Sequence, residues 1–208
     1  ILCGLRFRIS PLSFYQVNRN QAEKLYNKAA EYANLTGNET VMDLYCGAGT
    51  IGLSMASKAK EIIGVEIVPE AVEDAKVNAK INSITNARFI CGDAAKAAEI
   101  LKNEGVKPDV IILDPPRKGC SPDMLKTAAE MNPDRIVYVS CDPATLARDL
   151  GILTGRLVEN DKGELVKNPC FPADETALMG YYEIEKIQPY DMFPQTKHVE
   201  TIVCLRKQ

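Results

Sequence analysis

Asp43-Leu44-Tyr45-Cys46-Gly47-Ala48-Gly49-Thr50-Ile51-Gly52 is the stretch that decides the fold of this 208-residue chain. The apolar run 41–45 ends in a glycine-rich turn, and the residues after it read as the start of a helix. The glycines match G-x-G-x-x-G, and Glu66 follows 19 residues after Gly47, at the end of the next apolar run. A strand, a tight turn that brings backbone N–H groups close to a ligand, and a helix is the arrangement of a nucleotide-type cofactor site, with the acid placed for a ribose hydroxyl. Two ligands fit it. One is a dinucleotide such as NAD; the other is S-adenosylmethionine, which uses the same geometry without a pyrophosphate. The acids Asp43 and Glu66 suit a positive sulfonium with no phosphates to repel.

Outward from this loop, short apolar β-branched runs alternate with helix-like ones. Strands are expected at 41–45, 61–65, 87–90, 110–113 and 136–139, and helices at 51–58, 69–82, 94–102, 121–131 and 144–153. Runs of this kind belong in a parallel sheet covered on both faces, so the fold class is α/β with a doubly wound sheet. An amphipathic helix precedes the first strand at 21–33, and two strands at 181–188 and 199–205 close the sheet as an antiparallel pair. The polar segment 155–177, with Asp161-Lys162-Gly163 as a turn signal, reads as an inserted loop or hairpin. The expected organisation is a helical lead-in over 1–39 and one cofactor-binding domain over 40–208.

Composition narrows the chemistry. Seven scattered cysteines and one histidine, His198, fit free thiols in a reducing cytoplasm rather than a disulfide framework, a zinc site or an iron–sulfur cluster, so no metal is expected in this chain. No apolar run approaches the roughly 18 residues of a membrane span, and the chain starts at Ile1 without a signal-peptide pattern. The formal charge of −3 lacks the basic excess with which a domain grips nucleic acid unaided. A nucleic-acid substrate would need a local patch or a further part of the protein. Monomer is the default.

Chemistry-bearing residues follow the strands. Asp93, in Cys91-Gly92-Asp93-Ala94, can contact an adenine amine or cap the next helix, and the two roles are compatible. Asp114-Pro115-Pro116-Arg117-Lys118-Gly119 holds a carboxylate on a rigid, non-helical turn beside a cofactor's reactive end. Acid-Pro-Pro at this place points to a methyltransferase acting on a planar nitrogen or a nucleobase. Cys141, in Ser140-Cys141-Asp142-Pro143, sits where the fifth strand gives way to a helix, whose N–H groups and positive dipole end favour a thiolate.

Together with Ser13-Phe14-Tyr15-Gln16-Val17-Asn18, Asp191-Met192-Phe193-Pro194 and His198-Val199-Glu200, these motifs resemble the S-adenosylmethionine-dependent RNA uracil-C5 methyltransferases of the 23S rRNA and tRNA type, over almost the whole chain. The resemblance implies a Rossmann-like class I methyltransferase sheet, mostly parallel with an antiparallel C-terminal strand. It implies that Gln16, Tyr45, Glu66 and Asp114, with Thr50, contact S-adenosylmethionine beside the Gly47 turn. It makes Cys141 the nucleophile and Glu200 the general base. Asp114 could also hydrogen-bond the uracil edge, Arg117 and Lys118 hold phosphate or stand as a surface pair, and Phe14 and Tyr15 stack on a base or pack on the core. The favoured RNA is 23S rRNA, with tRNA the alternative. The family's RNA-binding β-barrel and its frequent four-cysteine iron–sulfur site lie upstream of anything in this chain, so the RNA grip is expected from a missing N-terminal domain. Three rivals stand further off. RNA cytosine-C5 enzymes put a cysteine directly after acid-Pro, where this chain has Pro116-Arg117. Amine methyltransferases want an aromatic after Pro-Pro. The third is a cofactor-binding module inactive without its RNA-binding domain.

Overall fold

The computed structural model describes residues 1–10, 16, 18–169, 182–196 and 199–208. Helix α1 (Arg19–Ala33) precedes β1 (Thr40–Leu44), α2 (Thr50–Ser54), β2 (Glu61–Glu66), α3 (Pro69–Ile81), β3 (Ala87–Cys91), α4 (Ala94–Asn103), β4 (Val110–Leu113), α5 (Pro122–Glu130), β5 (Arg135–Ser140) and α6 (Pro143–Leu153). The chain then forms β6 (Leu157–Glu159), β7 (Leu165–Lys167), β8 (Tyr182–Tyr190) and β9 (Glu200–Lys207). Seven strands make one sheet in the order β3-β2-β1-β4-β5-β9-β8. The first five are parallel, and β9 runs antiparallel to both β5 and β8.

The sheet follows from the side chains. In β4 every residue is buried, and in β1 and β5 all but the first. Such strands must be covered on both faces. Met42, Leu44, Ile111, Leu113, Ile136 and Tyr138 pack on α4, α5 and α6, whereas Val41, Ile112, Val137 and Val139 pack on α1 and α2. Each fully buried aliphatic side chain contributes about 1.5–3 kcal/mol relative to exposure. Side chains cap the helix starts: Asp93, Ser121 and Asp142 accept N–H bonds at α4, α5 and α6, and prolines stand at the first positions of α3, α5 and α6.

Two segments depart from expectation. The helix expected at 51–58 is α2 followed by a 3-10 turn at Ala56–Lys58, broken at Met55. Ser54 Oγ donates to the Ile51 carbonyl at 2.6 Å, and competition of this kind weakens a short helix. Strand β8 continues through Pro189 to Tyr190, which an edge strand tolerates because one side needs no N–H donor. It carries a register shift between Ile184 and Lys186. Inside the segment 155–177, β6 and β7 pair as a separate antiparallel hairpin through the Asp161-Lys162-Gly163 turn.

Candidate active site

In a doubly wound sheet the site forms outside the carboxyl ends of the strands, where β1 and β4 send their connections to opposite sides. Asp43 is the penultimate residue of β1, Glu66 ends β2, Asp93 follows β3, Asp114 follows β4, and Cys141 follows β5. Glu200 joins them because β9 is antiparallel. Ser140 pairs with Thr201, so the preceding Glu200 starts β9 level with Cys141, 59 positions away in sequence. Gln16 completes the group: it is 3% exposed and its side chain hydrogen-bonds the Glu200 carboxylate. Phe14 lies outside the described residues.

The glycine loop has the local geometry that its sequence demands. Gly47 and Gly49 take φ of 53° and 80°, in the left-handed region open to glycine, and Tyr45 takes φ 76°, a strained value for an aromatic residue. Strain of this kind is concentrated at functional sites. The N–H groups of Tyr45 and Cys46 both donate to the Val65 carbonyl, at 3.0 and 2.9 Å, which ties the turn to β2. Glu66 accepts from the Gly47 N–H at 3.0 Å and the Val68 N–H at 2.9 Å, so its carboxylate is held beside the turn. The Thr50 hydroxyl is hydrogen-bonded toward Tyr26 of α1 at 3.4 Å, and the Tyr45 hydroxyl to the Cys120 sulfur. Asp93 is exposed and caps α4, accepting the Lys96 N–H at 3.1 Å.

Asp114 and its loop are held from behind by α6. Thr145 Oγ1 donates to the Arg117 carbonyl at 3.1 Å, and Arg148 Nη2 donates to the carbonyls of Lys118 and Cys120 at 3.0 and 2.9 Å. Asp149, fully buried, accepts the Cys120 N–H at 2.8 Å, the Tyr138 hydroxyl at 2.5 Å and the Arg148 guanidinium at 2.6 Å. Gly119 (φ 72°) lies so close that a Cβ there would stand 2.6 Å from both Arg148 and Asp149. This network was not visible in the sequence, although an Arg-Asp pair inside the otherwise apolar face of α6 was its one signal.

Electrostatics set the character of the site. Asp43, Glu66, Asp114 and Glu200 converge, and the cation Arg117 acts on Glu200 and Cys141. Burial pushes Asp43 up to about 7, Glu66 adding to the effect, and lifts Asp114 well above the carboxylate range with Glu200 and Asp43 contributing. Burial also raises Glu200, against the Gln16 hydrogen bond and Arg117. Asp43 keeps one buried oxygen, Oδ1, without a partner, and Gln16 keeps Oε1 in the same state. A cluster of carboxylates with orphaned acceptors is matched by a cationic ligand with N–H donors. It would repel a pyrophosphate.

Cys141 is half-buried, and its thiol is raised by burial first and then by Glu200 and Asp114, while Arg117 acts against them through charge and a hydrogen bond. The activation expected from α6 is therefore not what the structure provides. Asp142 caps that helix, accepting the Ala144 and Thr145 N–H groups at 2.9 and 3.0 Å, and brings its own negative charge to the helix end. Arg117 takes over the role of favouring the thiolate.

The state of Asp43 gives a stability test. An unfolded aspartate titrates near 3.9, whereas folded Asp43 holds its proton up to about 7. The folded state binds more protons between these values, so stability falls as pH rises through that window and then levels off. Asp43→Asn keeps the acceptor for the Gly52 N–H, now at 3.0 Å, without the charge. It is expected to exceed wild type by on the order of 3 kcal/mol at about pH 8 and to match it near pH 4, measured by thermal or denaturant unfolding. A penalty of equal size at both pH values would show that the buried carboxyl is not titrating.

Comparison with known proteins bears on the same residues. The family model for tRNA (uracil-5-)-methyltransferase matches residues 4–157, which hold Asp43, the glycine loop, Glu66, Asp93, Asp114 and Cys141. An uncharacterized RNA methyltransferase of Staphylococcus aureus is 49% identical over 196 residues, covering 94% of this chain and 38% of that protein. Another, from Halalkalibacterium halodurans, is 49% identical over 201 residues, covering 97% of this chain and 39% of its own length. The chain therefore spans about two fifths of the length of the curated relatives it matches. The crystal structure of the Pyrococcus abyssi tRNA (uracil-54, C5)-methyltransferase in complex with S-adenosyl-L-homocysteine is 32% identical and superposes with a TM-score of 0.71, over 96% of this chain and 41% of that one. With the family pattern running through the strand ends where the carboxylates and Cys141 converge, the chain belongs to the tRNA (uracil-5-)-methyltransferase family.

Proposed function

We propose that this chain is the catalytic domain of an S-adenosylmethionine-dependent RNA methyltransferase that methylates C5 of a uridine through a covalent bond from Cys141 to C6. The observation that carries the reading is the meeting of Cys141, Glu200, Asp114 and Arg117 at the end of β5, next to the glycine loop. The glycine loop, Glu66, Asp43 and the orphaned oxygens of Asp43 and Gln16 suit the ammonium and ribose of S-adenosylmethionine. That cofactor supplies a methyl group on a positive sulfonium, the electrophile for an activated C5.

The remaining steps belong to the chain's own residues. C5 of uracil is a poor nucleophile. When the Cys141 thiolate adds to C6, the C5–C6 π electrons pass toward O4 and C5 becomes enolate-like. After C5 has gained its methyl, the Glu200 carboxylate takes the C5 proton, the C–H electrons restore C5=C6, and the C6–S bond breaks to return the thiolate. A raised Glu200 is a stronger base than an ordinary carboxylate. Asp114, kept toward its neutral form, presents one donor and one acceptor, the complement of the N3–H and O4 edge of uracil. A uridine in folded RNA must be unstacked to reach Cys141.

The motif resemblance alone leads us to read the substrate as 23S rRNA. A tRNA uridine is the second reading, and the tRNA-acting relative from Pyrococcus abyssi favours it. RNA carrying tritium at uridine C5 tests the proposal with the full-length protein. We expect one tritium released to water for each methyl gained, on 23S rRNA and not on tRNA. Release from tRNA alone would select the second reading, and methyl gain without tritium release would overturn C5 chemistry.

A further inference from the structure

Three polar side chains of α3, Asp74, Asn78 and Asn82, stand four residues apart at its inner face and its C-cap, among buried alanines and Val72. Residues 6–10 run past them. The Arg6 N–H donates to Asn82 Oδ1 at 2.9 Å, and Asn82 Nδ2 donates to the Arg6 carbonyl at 2.6 Å. Arg8 pairs with Asn78 in the same two-way manner, at 2.6 and 3.0 Å, and the Ser10 N–H donates to Asp74 Oδ2 at 2.6 Å. The spacing works because the two periods agree: four helical residues rise about 6.0 Å and two extended residues about 6.6 Å. The helix thus offers side-chain amides where a neighbouring strand would offer peptides, and it straps residues 6–10 antiparallel to its own axis.

Asn78 does more than its two companions. It is fully buried, and the second hydrogen of Nδ2 goes to the Ala48 carbonyl at 3.0 Å. Ala48 lies between the two left-handed glycines of the cofactor loop, and the Gly49 N–H that follows it donates to the Cys46 carbonyl at 2.8 Å. One amide therefore fixes both the strap and the orientation of the loop's central peptide. If the strap leaves, Asn78 loses its two bonds to Arg8 and is free to turn away from Ala48. If the loop opens, the amide that grips Arg8 loses its anchor.

We propose that Asn78 is a positioning residue that couples the 6–10 strap to the cofactor loop, so that strap docking and S-adenosylmethionine binding strengthen each other. The proposal rests on the assignment of that cofactor to the loop. Coupling between two such sites is reciprocal, so it can be read from either end.

Hydrogen exchange on the full chain, with and without saturating S-adenosylhomocysteine, reads it from the strap and needs no variant to fold. The Arg8 N–H is expected to exchange about tenfold more slowly with the ligand bound. Asn78→Asp keeps an acceptor for the Arg8 N–H but has no hydrogen for either carbonyl. It should lose that slowing and bind S-adenosylhomocysteine about tenfold more weakly in titration calorimetry. Asn82→Ala, which loosens the strap at Arg6 without touching the loop, should retain the slowing at Arg8. Ligand binding that leaves wild-type Arg8 exchange unchanged overturns the coupling alone. Undiminished slowing in Asn78→Asp overturns the role of Asn78, and failure of the wild-type chain to bind the ligand overturns the coupling and the cofactor assignment together.

Discussion

Cys141→Ala is expected to lower the methylation rate by on the order of 10⁴-fold or more, because the proposed mechanism has no other covalent route that makes C5 nucleophilic. The fold should survive, since the side chain is only half-buried and caps no helix. Binding of S-adenosylhomocysteine should survive with it, because the residues around the glycine loop are untouched. The measurement that isolates the sulfur is trapping with RNA that carries 5-fluorouridine. Fluorine cannot leave C5 as a cation, so wild-type protein should accumulate an adduct stable to denaturing gels, and Cys141→Ala should form none. Methylation that persists in the variant would remove Cys141 from the chemistry.

The same thiol carries a pH signature. Burial and the nearby carboxylates of Glu200 and Asp114 raise it, and Arg117 holds it down. A raised thiol is mostly protonated at neutral pH, so adduct formation in the wild type should speed up as pH rises toward the thiol's own value. Replacing Arg117 with methionine removes the opposing charge, raises the thiol further and should shift that limb to higher pH. The sign is informative. If the α6 dipole were the main activator, loss of Arg117 would leave the limb in place.

Much of this architecture is legible in the sequence, for physical reasons. Strands that are apolar along their whole length can lie only in a doubly covered parallel sheet, which is why 110–113 was recognisable as β4 to the residue. The glycines at 47 and 49 carry their φ in their identity. Contacts made across the sheet were less visible. Nothing in the spacing places Glu200 beside Cys141; the antiparallel register of β5 and β9 does that. Nor does the string Cys141-Asp142-Pro143 say that Asp142 takes the helix N–H groups for itself, because a side-chain cap is a choice between competing acceptors that only geometry decides. The roles of Asn78 and Asp149 were hidden for a related reason. Each satisfies backbone groups of a segment remote in sequence, Arg8 and Ala48 in one case and Cys120 in the other. What the sequence offered was only a polar residue at a helix position where the pattern called for an apolar one.

Glu200→Gln is expected to cut turnover by about 10²–10⁴-fold, the contribution of a positioned base, while allowing the earlier steps to proceed. The argument turns on the two effects of one carboxylate. Glu200 raises Cys141 and Asp114 through its charge, so it opposes formation of the thiolate that the proposed mechanism starts from. In the proposed mechanism it is also the acceptor for the C5 proton that ends the cycle. The neutral amide removes both effects while keeping a hydrogen-bond partner for Gln16 in a position that is 4% exposed. The first step should be preserved or quickened, and the last should stall. With ordinary uridine in the RNA and S-adenosylmethionine present, the variant should therefore accumulate a methylated covalent protein–RNA complex that wild type never builds up. Denaturing gel electrophoresis detects it, and mass spectrometry of the digested complex should find the methyl group and the Cys141 thioether on the same pyrimidine. Slow turnover without an adduct would mean that Glu200 acts before the carbon–sulfur bond forms, and undiminished turnover would assign proton removal to another group.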